Sequence, residues 1–476
     1  MKRRDFVNIL TASAGASLLL GCRKELVMQP DEVVGQDALF AARGGGGGTL
    51  TPFPLKIPAV VSPSNHTLIA RTANTNIGGS SMSNVWTYNG DYPASTLKAF
   101  RGDTVSIQLV NQLPEETITH WHGMIVDHMN DGGPMLTIPT GGTFQYNYII
   151  NQRAGLNWYH PHPHMKTGKQ VNLGMAGAFI VNDAEETALN LPSGSFEVPL
   201  IIRDATLDKN GNLTYKPTSG GFNGTIPMVN GTRSPYLDVQ RAVYRFRILN
   251  GANSRIFGVA LGNGASVKLI GNDGGLLPAM TDQTRMDISP AERLDILVDF
   301  RSYATGTKIM LRDLKAGWDL LEFRVTGATV VPFTFPSNSL SAINPLTNPV
   351  RTRVFSFDGM TKINGLEYDM NRIDWEVPFG ETEQWRFVTN GNAPHPIHIH
   401  GASFQVINRT GGRGKLFPWE LGWKDTVLLE DGETVDILIR FDDPVNKMPG
   451  MDNLYVMHCH KLEHEDQGMM ANFRII

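Results

Sequence analysis

A chain of 476 residues is too long for one hydrophobic core and is sized for about three domains of roughly 150 residues. Its net charge of -4 offers no basic surface for nucleic acid, which excludes that partner class. Charged residues make up 18%, below the roughly 25% usual in soluble domains, while Gly (49) and Pro (28) are plentiful, a balance that favours turn-rich β structure over helical bundles.

The N-terminus reads as an address. Arg3-Arg4-Asp5-Phe6 resembles a twin-arginine export signal. The apolar run behind it, Phe6 to Leu20, is broken by Asn8, Thr11 and Ser13 and is too short and impure to span a bilayer. It ends in Leu18-Leu19-Leu20-Gly21-Cys22, which resembles a bacterial lipoprotein cleavage box. Residues 1–22 are therefore expected to be the signal, with Cys22 acylated; an ordinary cleaved signal with an incidental Cys is the alternative. Residues 23–49, including the run Gly44 to Gly48, read as a flexible tether. This implies export to the periplasm or cell surface and a lipid anchor in a membrane. The second of the two cysteines is Cys459, so with Cys22 acylated no intrachain disulfide forms. Stability then rests on core burial and bound metal.

Beyond the tether, apolar or β-branched runs recur between turn signals: Thr104–Val110, Phe144–Ile150, Arg245–Leu249, Leu294–Phe300, Gln384–Val388 and Thr434–Phe441. No long segment keeps helical periodicity, and the expected fold is all-β. An internal repeat supports this. RFRILNGANSRIFGVALG around Asn250-Gly251 matches QWRFVTNGNAPHPIHIHG around Asn390-Gly391, and Ala291–Phe300 matches Gly432–Phe441. The copies lie about 140 residues apart, a domain-sized interval. Where the later copy has His395, His398 and His400, the earlier has Arg255, Gly258 and Ala260, so the middle unit is expected to carry the fold without metal. The expected divisions are 50–185, 186–335 and 336–476.

Ten of the 13 histidines fall in four clusters: His120 and His122; His160 and His162; His395, His398 and His400; and His458, His460 and His464. A His-x-His pair on a strand sends both imidazoles to one face. One such pair alone is more often a surface or core pair than a metal site; four clusters beside a lone Cys are not. In His458-Cys459-His460 the thiolate points away from its two neighbours, so it can bind one ion while they bind others. Two His, one Cys and a weak Met form a blue copper ligand set, and Met469 lies ten residues after Cys459. A structural zinc site fits one thiolate and a Met poorly.

These motifs, HWHG with DGGP, WYHPHPHMKTGKQ, KINGLEYDMN, HPIHIHG, GWKDTV and HCHKLEHEDQGMM, resemble those of three-domain multicopper oxidases, with most similarity to bacterial copper efflux oxidases, over about residues 50–476. The resemblance implies three cupredoxin-like Greek-key β-sandwich domains and four copper ions. By position it assigns the mononuclear type 1 copper to His395, Cys459 and His464 with Met469 axial. The type 2 copper would take His120 and His398, one type 3 copper His122, His160 and His460, and the other His162, His400 and His458. It implies that a small-molecule or metal-ion donor is oxidised and O2 reduced to water, in a monomer, with electrons entering by an exposed edge of His395. Asp131 and Glu465 match acidic residues that the family uses near the cluster; Asp131 in Asp131-Gly132-Gly133 also fits a turn role.

The donor is less determined. The residues before His395 are Gly391, Asn392, Ala393 and Pro394, without the Asp and Met seen in copper efflux oxidases, so a phenolic laccase-type donor stands beside Cu(I). Met448 and Met451 are expected to be loop packing residues, and His128 and His164 polar loop residues. The competing readings are a periplasmic copper-tolerance protein that binds copper with little turnover, a two-domain nitrite reductase, and a non-catalytic division or scaffold relative. The repeat and the complete ligand set oppose the last two.

Overall fold

In the computed structural model the described residues are 52–79, 81–337, 339–389 and 394–476. The export signal, the tether and Cys22 lie outside them, as do Gly391, Asn392 and Ala393. Among the described residues no helix is long and apolar enough to cross a membrane.

The strands form six sheets, which pair into three β-sandwiches. The first joins a five-stranded sheet ending in Thr119–His122 to a four-stranded sheet built on His66–Asn76 and Thr104–Asn111. Its core holds Leu97, Ile107, Trp121, Tyr146 and Phe179. The middle one joins six- and seven-stranded sheets around Phe246, Phe257, Ile296 and Phe323. The last pairs two five-stranded sheets around Trp385, Phe387, Ile397 and Ile437. The all-β, three-sandwich expectation is met, and each run named above matches a strand, with Ile150, Phe300 and Phe441 lying one residue past the strand ends. Phe53–Pro54, at the start of the first sequence unit, pairs in parallel with Pro235–Tyr236 of the middle sandwich.

The internal repeat is reproduced in strand register, with one correction. Phe257 lies opposite Ile288 as His395 lies opposite Leu429, so Phe257, Ala260 and Gly262, not Arg255, Gly258 and Ala260, stand where the later copy has His395, His398 and His400. Val243–Asn250 lies antiparallel to Arg293–Asp299 with Arg247 opposite Asp295; Thr382–Thr389 lies antiparallel to Glu433–Arg440 with Arg386 opposite Asp436. The turns before the second strands also correspond. Ala291 takes φ 70°, the left-handed conformation that its counterpart Gly432 adopts at φ 69°.

Two pairings position the histidines. In the first sandwich Thr119–His122 pairs with Gly155–Pro161, so that His120 faces His160. In the last, His395–Ile399 pairs with Leu454–Cys459, so that His398 faces His458 and Ile397 faces Cys459. Alternation does the rest. Trp121, Ile397, Ile399, Met457 and Cys459 turn into the cores, and the neighbouring imidazoles turn out of them.

Candidate metal centre

The outward imidazoles of the first and last sandwiches interleave. His122 stacks on His398 at 3.6 Å between ring centroids, and His120 on His400 at 3.9 Å. His120, His122, His160, His162, His398, His400, His458 and His460 are all buried.

Most of these rings are tied at Nδ1. His120 Nδ1 donates to the Asp131 carbonyl (2.7 Å) and His400 Nδ1 to Asp131 Oδ2 (2.7 Å). His160 Nδ1 donates to the Pro161 carbonyl (2.9 Å), and His398 Nδ1 to that of Asp425 (2.8 Å). Glu465 lies between two rings, with Oε2 3.2 Å from His458 Nδ1 and Oε1 3.4 Å from His162 Nδ1. His122 is turned the other way: its Nε2 donates to Asp425 Oδ1 (3.1 Å).

The opposite nitrogens converge. Nε2 of His458 is 3.2 Å from Nε2 of His400 and 3.4 Å from Nε2 of His162. With protons held at the other ring nitrogen, these are lone pairs facing one another, an arrangement that a cation between them relieves. Nε2 of His120, His160 and His398, Nδ1 of His122 and both ring nitrogens of His460 have no hydrogen-bond partner. Orphaned buried nitrogens on this scale are costly without a ligand. Burial, then neighbouring imidazoles, hold His120, His400 and His460 well below the usual histidine range; burial brings His160 down to about 3 and His162 to about 4. The rings are therefore neutral near pH 7, the state that binds metal.

Ligand atoms within 4.8 Å of one another group as His120, His398 and His400; His162, His400 and His458; His120, His122 and His160; and His122, His398 and Asp425. His460 joins none of these groups, but its ring lies 5.0 Å from that of His122 and 5.3 Å from that of His160. Among the described residues, no such group takes a residue of the middle sandwich.

A second site lies on the core side of the same strand. Cys459 Sγ is 3.5 Å from His395 Nδ1 and 3.6 Å from His464 Nδ1, and those nitrogens are 3.2 Å apart. A triangle with these edges has its centre roughly 2 Å from each corner, the length of a metal–imidazole bond. The trigonal His2Cys set suits copper. Burial pushes the Cys459 thiol up to about 12 and holds His395 down to about 3, so deprotonating the sulfur needs a bound cation. Met469 is buried, and its backbone is held on both sides, its carbonyl accepting from Cys459 N (3.1 Å) and its N–H donating to the His464 carbonyl (2.9 Å).

One expectation is corrected. His395 has no exposed edge: its relative exposure is 0%, as is that of His464. The Phe357 ring packs 5.8 Å from His395, and Gly220 of the middle sandwich lies against His464. Asp131 shapes a turn and also reaches the cluster. Gly132, at φ 73°, closes the turn onto the Thr119 carbonyl, where a Cβ would collide, and the turn delivers the Asp131 carboxylate to His400. Asp425 was not singled out in the sequence; only its place in GWKDTV marks it. His66 lies on a strand beside Asn89, while His128 and His164 stand off the two clusters, half-buried.

Two family models described as multicopper oxidase match residues 70–186 and 341–476. A multicopper oxidase of Staphylococcus haemolyticus is 33% identical over 86% of this chain and 88% of its own length. The cell division protein FtsP of Dickeya dadantii is 32% identical over 91% and 93%. The crystal structure of a laccase from Pediococcus acidilactici superposes with a TM-score of 0.82 at 32% identity, covering 90% of this chain and 94% of that one. With these matches spanning both histidine-bearing sandwiches, the chain belongs to the multicopper oxidase family.

Proposed function

We propose that this chain is a laccase-like oxidase, holding four copper ions, that couples four one-electron oxidations of a donor to reduction of O2 to water. The observation that carries the proposal is the convergence of two ligand sets on either face of one strand, His458-Cys459-His460. His395, Cys459 and His464, with Met469 nearby, would hold the type 1 ion. His120 and His398 would hold the type 2 ion; His122, His160 and His460, and His162, His400 and His458, would hold the type 3 pair. Copper, when bound, would supply the one-electron redox chemistry that links donor oxidation to O2 reduction.

The chain's own residues do the rest. Cys459 continues through its backbone into His458 and His460, so the two sites share covalent bonds. Asp131 holds His120 and His400, and burial, with Asp127 nearby, raises its carboxyl well above the usual range, so that it keeps a proton for the site. At Glu465, burial is outweighed by His162 and His458, which lower the carboxyl; ionised, it orients both rings through their Nδ1 atoms. The packing around His395 and His464 keeps bulk water from the sulfur.

The donor we favour is phenolic. The sequence lacks an Asp or Met just before His395, and a solved relative of similar length is a laccase. Cu(I) is the competing donor, and copper binding with little turnover the competing role. A division role such as that of the FtsP relative needs no complete ligand set. The N-terminal motifs support export and a lipid anchor at Cys22, which the mass of the mature N-terminal peptide tests. Copper-loaded protein should be intensely blue, from thiolate-to-copper absorption at the red end of the visible, and consume O2 faster with a phenolic donor than with Cu(I). Absence of the blue absorption overturns the oxidase reading, and the reverse donor order overturns the donor.

A further inference from the structure

We infer that Arg293, a residue of the middle sandwich, is a positioning residue for the trinuclear centre: through Asp425 it fixes the ring of His122 so that Nδ1 is the nitrogen offered to metal. The inference rests on the multicopper reading of the site and goes beyond its ligand list.

Arg293 lies in the repeat segment Ala291–Phe300, where the last sandwich has Thr434. Its side chain is fully buried, and all five N–H groups are used. Nε donates to the Leu156 carbonyl of the first sandwich (2.9 Å). Nη1 donates to the Ala291 carbonyl (2.9 Å) and to Asp425 Oδ1 of the last sandwich (2.7 Å). Nη2 donates to the Asp273 carbonyl (3.1 Å) and to Asp425 Oδ2. One guanidinium thus binds all three sandwiches and grips the carboxylate with both prongs of a rigid fork.

The gripped carboxylate faces metal ligands. Asp425 Oδ1 accepts from His122 Nε2 (3.1 Å) and Thr426 Oγ1 (2.9 Å), and the Asp425 carbonyl accepts from His398 Nδ1 (2.8 Å). An acceptor at Nε2 puts the ring proton there and leaves Nδ1 as the lone pair, and Nδ1 of His122 is the nitrogen without a partner. His120, His160 and His398 have the opposite arrangement. Gly123 makes room for the clamp: a Cβ there would sit 2.9 Å from Asp425 Oδ2 and 3.0 Å from Arg293 Nη2. The residue after the ligand is therefore small where the clamp passes.

The test uses the full chain with Arg293→Gln and Asp425→Asn; the second keeps the volume and the arginine should the first fail to fold. In metal-free protein with 15N-labelled histidine, His122 should carry its proton on Nε2 in the wild type. The share carried on Nδ1 should rise in both variants, although Thr426 Oγ1, 3.2 Å from Nε2, still accepts there. Loaded with copper, the variants should keep the blue absorption and the donor KM. Their affinity for the trinuclear copper, and kcat with it, should fall roughly ten- to hundredfold, the usual cost of losing a partner behind a ligand. The inference is overturned if His122 carries its proton on Nδ1 in the wild type. It is equally overturned if the folded variants keep their trinuclear copper and kcat, or if the blue absorption is lost along with it, which would mark a general packing role. A wild-type protein without blue absorption would instead defeat the oxidase reading, and the tautomer measurement would still decide this one.

Discussion

In the middle sandwich Phe257–Leu261 occupies the place that His395–Ile399 occupies in the last one, and Arg293–Asp299 the place of Glu433–Arg440. Both copies bury an apolar face built from the same alternation, Val259, Leu294 and Ile296 in one and Ile397, Val435 and Ile437 in the other. They differ in the polar groups that the frame buries. The last copy turns neutral imidazoles and one thiol toward metal. Both copies bury charge, Arg409 with Glu420 and Glu433 in the last, and in the middle Arg247 with Glu186, Glu197 and Asp295 and Arg245 with Glu186 and Asp295. Among the described residues, the middle copy has no metal-facing rings beside it. The comparison teaches that hydrophobic alternation sets the frame, while a few substitutions decide whether the frame binds metal or braces a neighbour that does.

The sharpest way to break the comparison is on the metal side. Cys459→Ser should abolish the blue absorption and lower turnover by more than roughly a hundredfold, beyond what substitutions behind a ligand cost, as read by visible spectra and O2 uptake. Next comes the middle copy. Arg247→Met leaves three buried carboxylates to Arg245 and Lys98 alone and should cost about 3–5 kcal/mol in denaturant unfolding. Copper content and blue absorption per folded chain should not change, because the charges there brace the frame and hold no metal.

Acid should separate metal-free from loaded protein. In the fold, His160 and His395 titrate near 3 and His162 near 4, below the 6.5 expected of them unfolded. Between those values the unfolded chain binds more protons. The stability these rings contribute is therefore complete above about pH 6.5 and is lost as pH falls toward the folded values, each group adding a slope of up to about 1.4 kcal/mol per pH unit. Metal-free protein should lose melting temperature steadily below about pH 6.5, and copper should move that loss to lower pH. The smallest effect is expected of Met469→Leu. It conserves core volume and should cost less than about 1.5 kcal/mol, while raising the type 1 potential in a redox titration because a weak sulfur donor is gone.

Much of the centre was legible because its ligands are neighbours in sequence. The spacing of His120 and His122, or of His398 and His400, has the period of a strand, so one strand assignment fixes two directions. Cys459 between His458 and His460 works the same way. Contacts joining distant segments were not legible. Arg293 reaches Asp425 across 132 positions, with no motif around the arginine to announce it. The burial of His395 and His464 depends on Phe357 and on Gly220, which local pattern does not connect to them. The turn at Asp131 was visible, but its carboxylate could not be placed on His400, 269 positions away.

The central claim is that one strand carries two metal sites that act in series to reduce O2 fully. It is tested most directly by counting donor electrons per O2 consumed in the copper-loaded protein. The account predicts four electrons per O2 with no hydrogen peroxide; two electrons with peroxide released, or no O2 uptake at all, would contradict it.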